Sequence, residues 1–323
     1  MMEQMEKRRY PVEIVLEVTN RCNLRCRHCH YHGEQVQRGR TAGFMTPVLW
    51  DRIIDQLAER GTPAVVLTHG AGEPLLHPEL KRLLARVAKV PHLTVGFMTN
   101  GMLLDSEWAK FLVDLPVDLI AFSIDGVDAG THDYFRVNAD LARIERNVFG
   151  LIEEKAKRGA ALPALSFNMV GYPEILDQTE RYVERWLPHA DNVTLSKFRP
   201  VGSRKLWEGA APVAFRPCPL LDRQLVVSVD GMAGLCCEDI QLDVSVGDLN
   251  RTSIETLYNR SERLISYRTS HGAGRLEGLT LCADCHVWGG DVPLAQETVP
   301  MGEMVVEKTL TAAFEKFIKK TAP

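Results

Sequence analysis

The chain has 323 residues, 45% of them hydrophobic, and a formal net charge of −4 at pH 7. Its length suits one large or two ordinary domains. Its net negative charge shows no excess of basic residues of the kind that nucleic-acid-binding proteins carry. Because no apolar run approaches the about 18 residues of a membrane span and no secretory signal follows the charged start, we expect a cytoplasmic protein with eight reduced cysteines.

Apolar strand patterns alternate with amphipathic helix patterns through the first two hundred residues. The strands are predicted at 12–18, 64–68, 93–99, 119–124, 165–170 and 192–197. The helices are predicted after Thr46, after His77, at 106–114, at 141–158 and at 178–186. Strict alternation requires a parallel sheet, either barrel-like or doubly wound. In both folds the chemistry belongs at the C-terminal ends of the strands.

Three cysteines lie in the loop that follows the first predicted strand. Cys22, Cys26 and Cys29 are spaced by four and three residues, among Asn, Arg and His residues typical of an exposed loop. Packing does not explain them, and thiolates so close together usually hold metal. Zinc sites usually need a Cys-x2-Cys pair and a fourth ligand nearby. Three cysteines therefore favour a four-iron cluster with one open iron.

This Cys-x3-Cys-x2-Cys spacing resembles the signature of the radical S-adenosylmethionine (SAM) superfamily. The resemblance implies an α/β fold, a six-stranded partial (β/α) barrel over about residues 12–199. It implies that the open iron chelates SAM, and that an electron from a flavodoxin or ferredoxin partner passes through the cluster and cleaves SAM to methionine and a 5′-deoxyadenosyl radical. The family usually has an aromatic residue where this chain has His28.

Small and polar residues follow the predicted strands where a site is expected. Gly70-Ala71-Gly72-Glu73-Pro74 is either a plain turn or similar to the family's Gly-Gly-Glu-Pro element, which holds the SAM amino group. Arg136 resembles the arginine that pairs with the SAM carboxylate; a surface salt bridge is the alternative. Asn168 faces adenine or is a satisfied core amide. The resemblance implies a SAM site formed by Gly70, Ala71, Gly72, Glu73, Asn100, Ser123, Asp125, Arg136 and Asn168.

A second set of cysteines lies near the C-terminus. Cys218, Cys236, Cys282 and Cys285 are four candidate thiolate ligands, and Cys237 is left over. A zinc ribbon is one reading, because Cys-x2-Cys is a usual zinc half-site. The order of these cysteines, with Gly-Asp-Leu at 247–249, resembles the SPASM/twitch extension of radical SAM enzymes. No cysteine follows Cys285, so the resemblance implies one auxiliary four-iron cluster with every iron bound by a thiolate.

The predicted organisation is a barrel at 1–199, a linker at 200–217, a small α+β twitch-type domain at 218–295 and a tail at 296–323. A hairpin around Asp230-Gly231 and a helix capped by Thr252 are expected in the second domain. The tail is expected to end in an amphipathic helix at 310–320 that docks on the barrel. The first strand begins near residue 12, so we expect no fused leader-peptide-binding domain.

The predicted activity is removal of a hydrogen atom from an unactivated carbon. In the favoured version a sugar- or aminocyclitol-like alcohol becomes a ketone, and the auxiliary cluster accepts the remaining electron. This single-cluster layout is similar to that of aminocyclitol dehydrogenases and sugar epimerases of the superfamily. Epimerisation with Cys237 as hydrogen donor and peptide maturation are alternatives. Cys237 is otherwise a small buried hydrophobe, and a non-enzymatic scaffold would neither bind nor cleave SAM.

Overall fold

The computed structural model describes residues 10–33, 36, 39–61, 63–68, 70–201, 203–204 and 214–320. Within these ranges the strands form one twelve-stranded sheet. No helix in these ranges is both long enough and apolar enough to span a bilayer.

Six parallel strands form the central part of the sheet, each hydrogen-bonded to the next in chain order. They are β1 (Glu13–Leu16), β2 (Ala64–Thr68), β3 (Leu93–Thr99), β4 (Leu119–Ser123), β5 (Ala164–Gly171) and β6 (Asn192–Lys197). The helices between them are α1 (Pro47–Arg60), α2 (Leu80–Ala88), α3 (Ser106–Asp114), α4 (Ala129–Phe135), α5 (Leu141–Arg158) and α6 (Thr179–Trp186). This arrangement confirms the predicted α/β partial barrel.

Local sequence signals account for the boundaries of α1 and for its orientation. The Thr46 side chain accepts a hydrogen bond from the Leu49 amide, and Pro47 occupies the first helical position, where its missing N–H costs nothing. Gly61 ends the helix in the left-handed conformation, with φ of 68°. Trp50 and Ile53 are fully buried under the sheet. The core therefore lies between the helices and the outer face of the barrel.

The second module extends the same sheet. Its elements are α7 (Leu220–Arg223), β7 (Gln224–Val227), β8 (Met232–Gly234), β9 (Ser245–Asp248), α8 (Ile254–Arg260) and α9 (Glu262–Gly272). β7 pairs in parallel with β1, and β8 pairs antiparallel with β7. The predicted hairpin is confirmed, and its turn residue Gly231 has φ of 89°. Much of the predicted linker, residues 202 and 205–213, lies outside the described residues.

Two local predictions in this module need correction. Ser253, and not Thr252, caps α8, because the Ser253 hydroxyl accepts a hydrogen bond from the Thr256 amide at 3.1 Å. Helix α9 was missed because its buried residues include only two large apolar side chains, Leu264 and Tyr267. Such a narrow apolar stripe gives a weak helical pattern.

The predicted C-terminal helix is wrong. The tail forms the antiparallel strands β10 (Pro293–Met301), β11 (Met304–Thr311) and β12 (Phe314–Lys319). The spacing of Phe314, Phe317 and Ile318 fits a helix, but the free edge of β6 pairs antiparallel with β12. The backbone hydrogen bonds offered by that edge outweigh the local pattern. The tail does dock on the barrel, as a strand.

We expect Phe317→Ala to reduce the free energy of unfolding by about 3–5 kcal/mol, because Phe317 is fully buried. Ile318→Ala is the matched control. Ile318 is 37% exposed, and its loss should change the free energy by no more than about 0.5 kcal/mol. Urea unfolding of both variants measures the difference. Equal losses would indicate the helix, in which the two side chains share one face.

Candidate functional site

The first three cysteines lie in the loop between β1 and α1. This loop is anchored to the end of α4 and to the segment after it. The Arg27 amide donates to the Phe135 carbonyl at 2.9 Å, and the Arg25 amide donates to the Val137 carbonyl at 3.0 Å. The Cys29 sulfur accepts hydrogen bonds from the Tyr31 and His32 amides, at 3.4 and 3.0 Å. These two amides fix the position of the Cys29 sulfur.

Two thiols of this loop, those of Cys22 and Cys26, need a positive partner to ionise. All eight cysteines are free, and burial raises the pKa of Cys22 to about 12 and that of Cys26 to about 11. In the described part of the chain, no three His, Cys, Asp or Glu side chains converge on a point where one metal ion would bind. Separated thiols suit a cluster, in which each thiolate can bind a different iron.

A cavity of about 130 Å³ lies beside this loop, at the C-terminal ends of β2, β3 and β4. The predicted residues that line it together with Cys22 and Cys26 are Gly70, Gly72, Glu73, Asn100, Ser123 and Arg136. The structure therefore brings six of the nine predicted SAM-site residues to the first cysteine loop.

Glu73 joins the ends of two strands beneath this cavity. It is 3% exposed, and its carboxylate accepts hydrogen bonds from the Leu75 amide, the Thr99 hydroxyl and the Asn100 amide at 3.1, 2.7 and 2.8 Å. Burial raises the pKa of Glu73, although these donors oppose the shift. A Cβ on Gly72 would lie 2.2 Å from the Thr19 carbonyl oxygen, so only glycine fits there.

Arg136 and Asp125 form a buried ion pair at the same cavity. Arg136 Nε lies 2.8 Å from Asp125 Oδ2, and the two side chains are 8% and 0% exposed. The Val170 amide also donates to Asp125, at 2.8 Å. Burial alone would raise the pKa of Asp125, but the Arg136 guanidinium and then His28 hold it below its usual value. The alternative of a surface salt bridge for Arg136 is wrong; its contact with SAM stays a prediction.

Three predicted residues do not line this cavity. The Asp125 carboxylate is directed at Arg136 and β5. Asn168 is half-buried on β5, opposite Ser123 in the register. Ala71 lies on a separate small cavity of about 20 Å³ with Cys237. Gly70 borders both cavities. It therefore separates the cavity beside the first cysteine loop from the smaller cavity that Ala71 and Cys237 line.

Tyr172 is a site residue that the sequence reasoning missed. Its hydroxyl is hydrogen-bonded to Nδ1 of His28, and its ring stacks on Phe135 with centroids 3.7 Å apart. Burial and then Arg136 lower the pKa of His28 to about 4, so its imidazole is neutral at pH 7. Tyr172 directly follows β5, at the strand ends where polar residues were expected to collect. Its position directly after a predicted strand was therefore the sequence feature that could have identified it as a site residue.

The later cysteines form a second group of thiols beside β7 and β8. Burial raises the pKa of Cys282 to about 12, and negative charge on Cys285 and Cys218 would raise it further. Burial raises the pKa of Cys236 and of Cys237, and negative charge on Cys218 would raise both further, so these thiols lie within electrostatic range of Cys218. The Cys285 amide donates to the Cys282 carbonyl at 3.2 Å, which closes the turn between these two cysteines.

Cys236 and Cys237 lie in the turn that follows β8, which ends at Gly234. Burial raises the pKa of Cys237 to about 12. Its side chain borders a cavity of about 360 Å³, together with Arg199, Glu238 and the turn between β11 and β12.

Comparison with known proteins decides the family. Residues 16–185, more than half of the chain, match the family model described as the radical SAM superfamily. The chain belongs to this superfamily. Residues 218–286 match the SPASM iron–sulfur cluster-binding domain. This radical SAM protein therefore uses SAM and iron–sulfur clusters, and the SPASM match replaces the zinc-ribbon reading.

The curated relatives share only part of their length with this radical SAM chain. The Fe-coproporphyrin III synthase of Methanosarcina barkeri is 29% identical over 178 residues, which cover 55% of this chain and 43% of that protein. The tungsten-containing aldehyde ferredoxin oxidoreductase cofactor-modifying protein of Pyrococcus furiosus is 36% identical over 115 residues, or 35% and 30% of the two chains. The chain thus matches less than half the length of these relatives.

Solved structures share the fold of this radical SAM protein at low identity. BtrN in complex with AdoMet and 2-DOIA gives a TM-score of 0.57 at 16% identity, over 85% of this chain and 93% of BtrN. SuiB of Streptococcus suis bound to SAM gives 0.65 at 13% identity, over 83% and 70%. AnSMEcpe with bound AdoMet gives 0.60 at 15%, over 80% and 83%. These likenesses confirm the fold class.

We expect Asp125→Asn to lower the free energy of unfolding by about 3–5 kcal/mol, because it leaves the buried Arg136 charge without its partner. Asp114→Asn is the control, since the ion pair of Asp114 with Arg158 is exposed and should contribute about 0–1 kcal/mol. Urea unfolding of both variants gives the comparison. Similar small losses would mean that Asp125 and Arg136 are not a buried pair.

Proposed function

We propose that this radical SAM enzyme oxidises a small-molecule alcohol, sugar-like or aminocyclitol-like, to a ketone. The observation that carries the proposal is the cavity of about 360 Å³ against Cys237 and Glu238, directly beside the second group of thiols. Its volume is at the lower end of the range for small-molecule sites. The fold shared with BtrN, whose structure contains AdoMet and 2-DOIA, is consistent with such a substrate.

The proposal divides the thiols between two clusters. Cys22, Cys26 and Cys29 hold the cluster that binds SAM, and Cys218, Cys236, Cys282 and Cys285 hold the auxiliary cluster. Thiol-only donor sets fit iron–sulfur clusters. When bound, SAM and its cluster would supply the chemistry that removes a hydrogen atom from the substrate carbon. The auxiliary cluster would supply the acceptor for the remaining electron, and solvent would take the hydroxyl proton.

The protein's own residues bind and orient the reactants in this proposal. The residues proposed to contact SAM are the six predicted residues that line the cavity beside the first cysteine loop, Gly70, Gly72, Glu73, Asn100, Ser123 and Arg136. Arg136 presents a guanidinium that Asp125 holds in place, and Glu73 fixes the ends of β2 and β3. A flavodoxin or ferredoxin supplies the electron for SAM cleavage.

Epimerisation is the second candidate. It is favoured by one observation, the Cys237 side chain at the edge of the same cavity. In that reaction the Cys237 thiol returns a hydrogen atom to the opposite face of the substrate carbon, and no electron leaves the substrate. Peptide substrates are a third possibility, because the SuiB structure with precursor peptide SuiA and the anSMEcpe structure with the Cp18Cys peptide share this fold.

After anaerobic reconstitution we expect about eight irons per chain, because two four-iron clusters form. Replacing Cys22, Cys26 and Cys29 together by Ala should leave about four irons and abolish SAM cleavage. Replacing Cys282 and Cys285 should also leave about four, with some 5′-deoxyadenosine formed and no product. Iron and zinc analysis with chromatography of the nucleoside provides the measurements. Four irons with one zinc in the unaltered protein would contradict the auxiliary cluster.

Turnover in deuterated water separates the two candidate reactions. For a dehydrogenase, mass spectrometry should find product two hydrogens lighter than substrate, with no stable deuterium at the reacting carbon. Cys237→Ala should then keep most of the activity, with circular dichroism as the control for folding. An isomeric product that carries one solvent deuterium, and is lost in Cys237→Ala, would instead establish the epimerase.

A further inference from the structure

Glu238 connects the second group of thiols to the mouth of the barrel. It follows Cys236 and Cys237 in the chain, and its carboxylate is held by Arg199, two residues beyond β6. The two hydrogen bonds of this pair measure 2.8 and 3.0 Å. The Glu238 and Arg199 side chains are 17% and 27% exposed, so the charges are only partly screened by solvent.

Arg204 approaches the same thiols from another direction. Its Nη2 lies 3.5 Å from the Glu238 carbonyl oxygen, and its own carbonyl accepts a hydrogen bond from the His286 amide at 3.0 Å. His286 directly follows Cys285. Arg204 is therefore fixed to both halves of the cysteine set, the half that ends at Cys237 and the half that ends at Cys285.

Arg204 differs from Arg199 and Arg216 in its ion pairing within the described residues. Among the described residues, no carboxylate oxygen lies within 4.0 Å of its guanidinium, whereas Arg199 has Glu238 and Arg216 has Asp291. Asp239, a further carboxylate near Cys282, accepts hydrogen bonds from the amides of Leu235, Asp243 and Val244. Within the described residues, Arg204 thus brings a positive charge without a close counterion to the cysteine set.

We propose that Arg204 and Glu238 set the reduction potential of the auxiliary cluster in opposite directions, with Arg199 holding Glu238 in place. Reduction adds one negative charge to the cluster. A fixed cation at Arg204 stabilises that charge, and a carboxylate at Glu238 opposes it, because the charge, burial and hydrogen bonding around a cluster tune its potential. The inference rests on the proposed function, in which this cluster accepts the electron of the substrate radical.

The test isolates the auxiliary cluster. In a protein with Cys22, Cys26 and Cys29 replaced by Ala, only that cluster forms, and stepwise reduction with dithionite followed by electron paramagnetic resonance gives its potential without any turnover. We expect Arg204→Gln to lower the ratio of reduced to oxidised cluster at least tenfold at a fixed potential, a shift of about 59 mV for one electron. Glu238→Gln should shift the potential in the opposite direction.

Two control variants distinguish the loss of the Arg204 charge from structural damage to the cluster site. Arg204→Lys keeps the charge and should stay within threefold of the parent ratio. Arg185→Gln removes an exposed arginine of α6 whose partner, Glu145, belongs to α5 on the outer face of the barrel, and should leave the potential unchanged. Each variant must retain about four irons.

Shifts of the same sign for Arg204→Gln and Glu238→Gln, or shifts below threefold, would overturn the inference. This result is independent of the proposed function, which fails only if the unaltered enzyme makes no dehydrogenated product. If Arg204→Gln loses iron while Arg204→Lys retains it, the potential of Arg204→Gln is not informative. The direction of the potential shift in Glu238→Gln then decides the inference.

Discussion

An open barrel has two unpaired strand edges, and the organisation of this protein follows from how those edges are covered. β7 covers the edge of β1, and β12 covers the edge of β6. The first pairing positions the β7–β8 hairpin, which is followed by Cys236 and Cys237. The second positions the turn between β11 and β12. Cys237 and this turn line the same cavity of about 360 Å³, which we propose as the substrate site.

The barrel could be predicted from the sequence because its signals are local and repeated. Buried strands with β-branched residues, helices that begin at Thr46 and Asp105, and the spacing of the first three cysteines all point to the same fold, and the structure agrees. A fold can be predicted from its sequence when secondary-structure propensity, helix capping and hydrophobic pattern agree in this way. The predicted SAM-site residues Gly72, Glu73 and Asn100 lie together because parallel strands end at one edge.

The remaining features depend on contacts between distant parts of the chain. The 310–320 segment has helical spacing, and only the edge of β6 makes it a strand. Arg136 was expected to face SAM, but its buried partner Asp125 cannot be inferred from either residue alone. Tyr172 gains its place at the site from His28, 144 residues away. Side-chain pairing over such separations leaves no periodic trace in a single sequence.

Covering the edge of β6 moves the exposed edge of the sheet outward to β10. A strand whose outer backbone groups face water is a template on which another polypeptide can add, and so a risk for aggregation. β10 begins with Pro293 and has Pro300 one residue before its end, neither of which has an N–H to donate, and Glu297 places a charge near its centre. The tail thus ends the sheet in a strand that is poorly suited to recruit a second molecule.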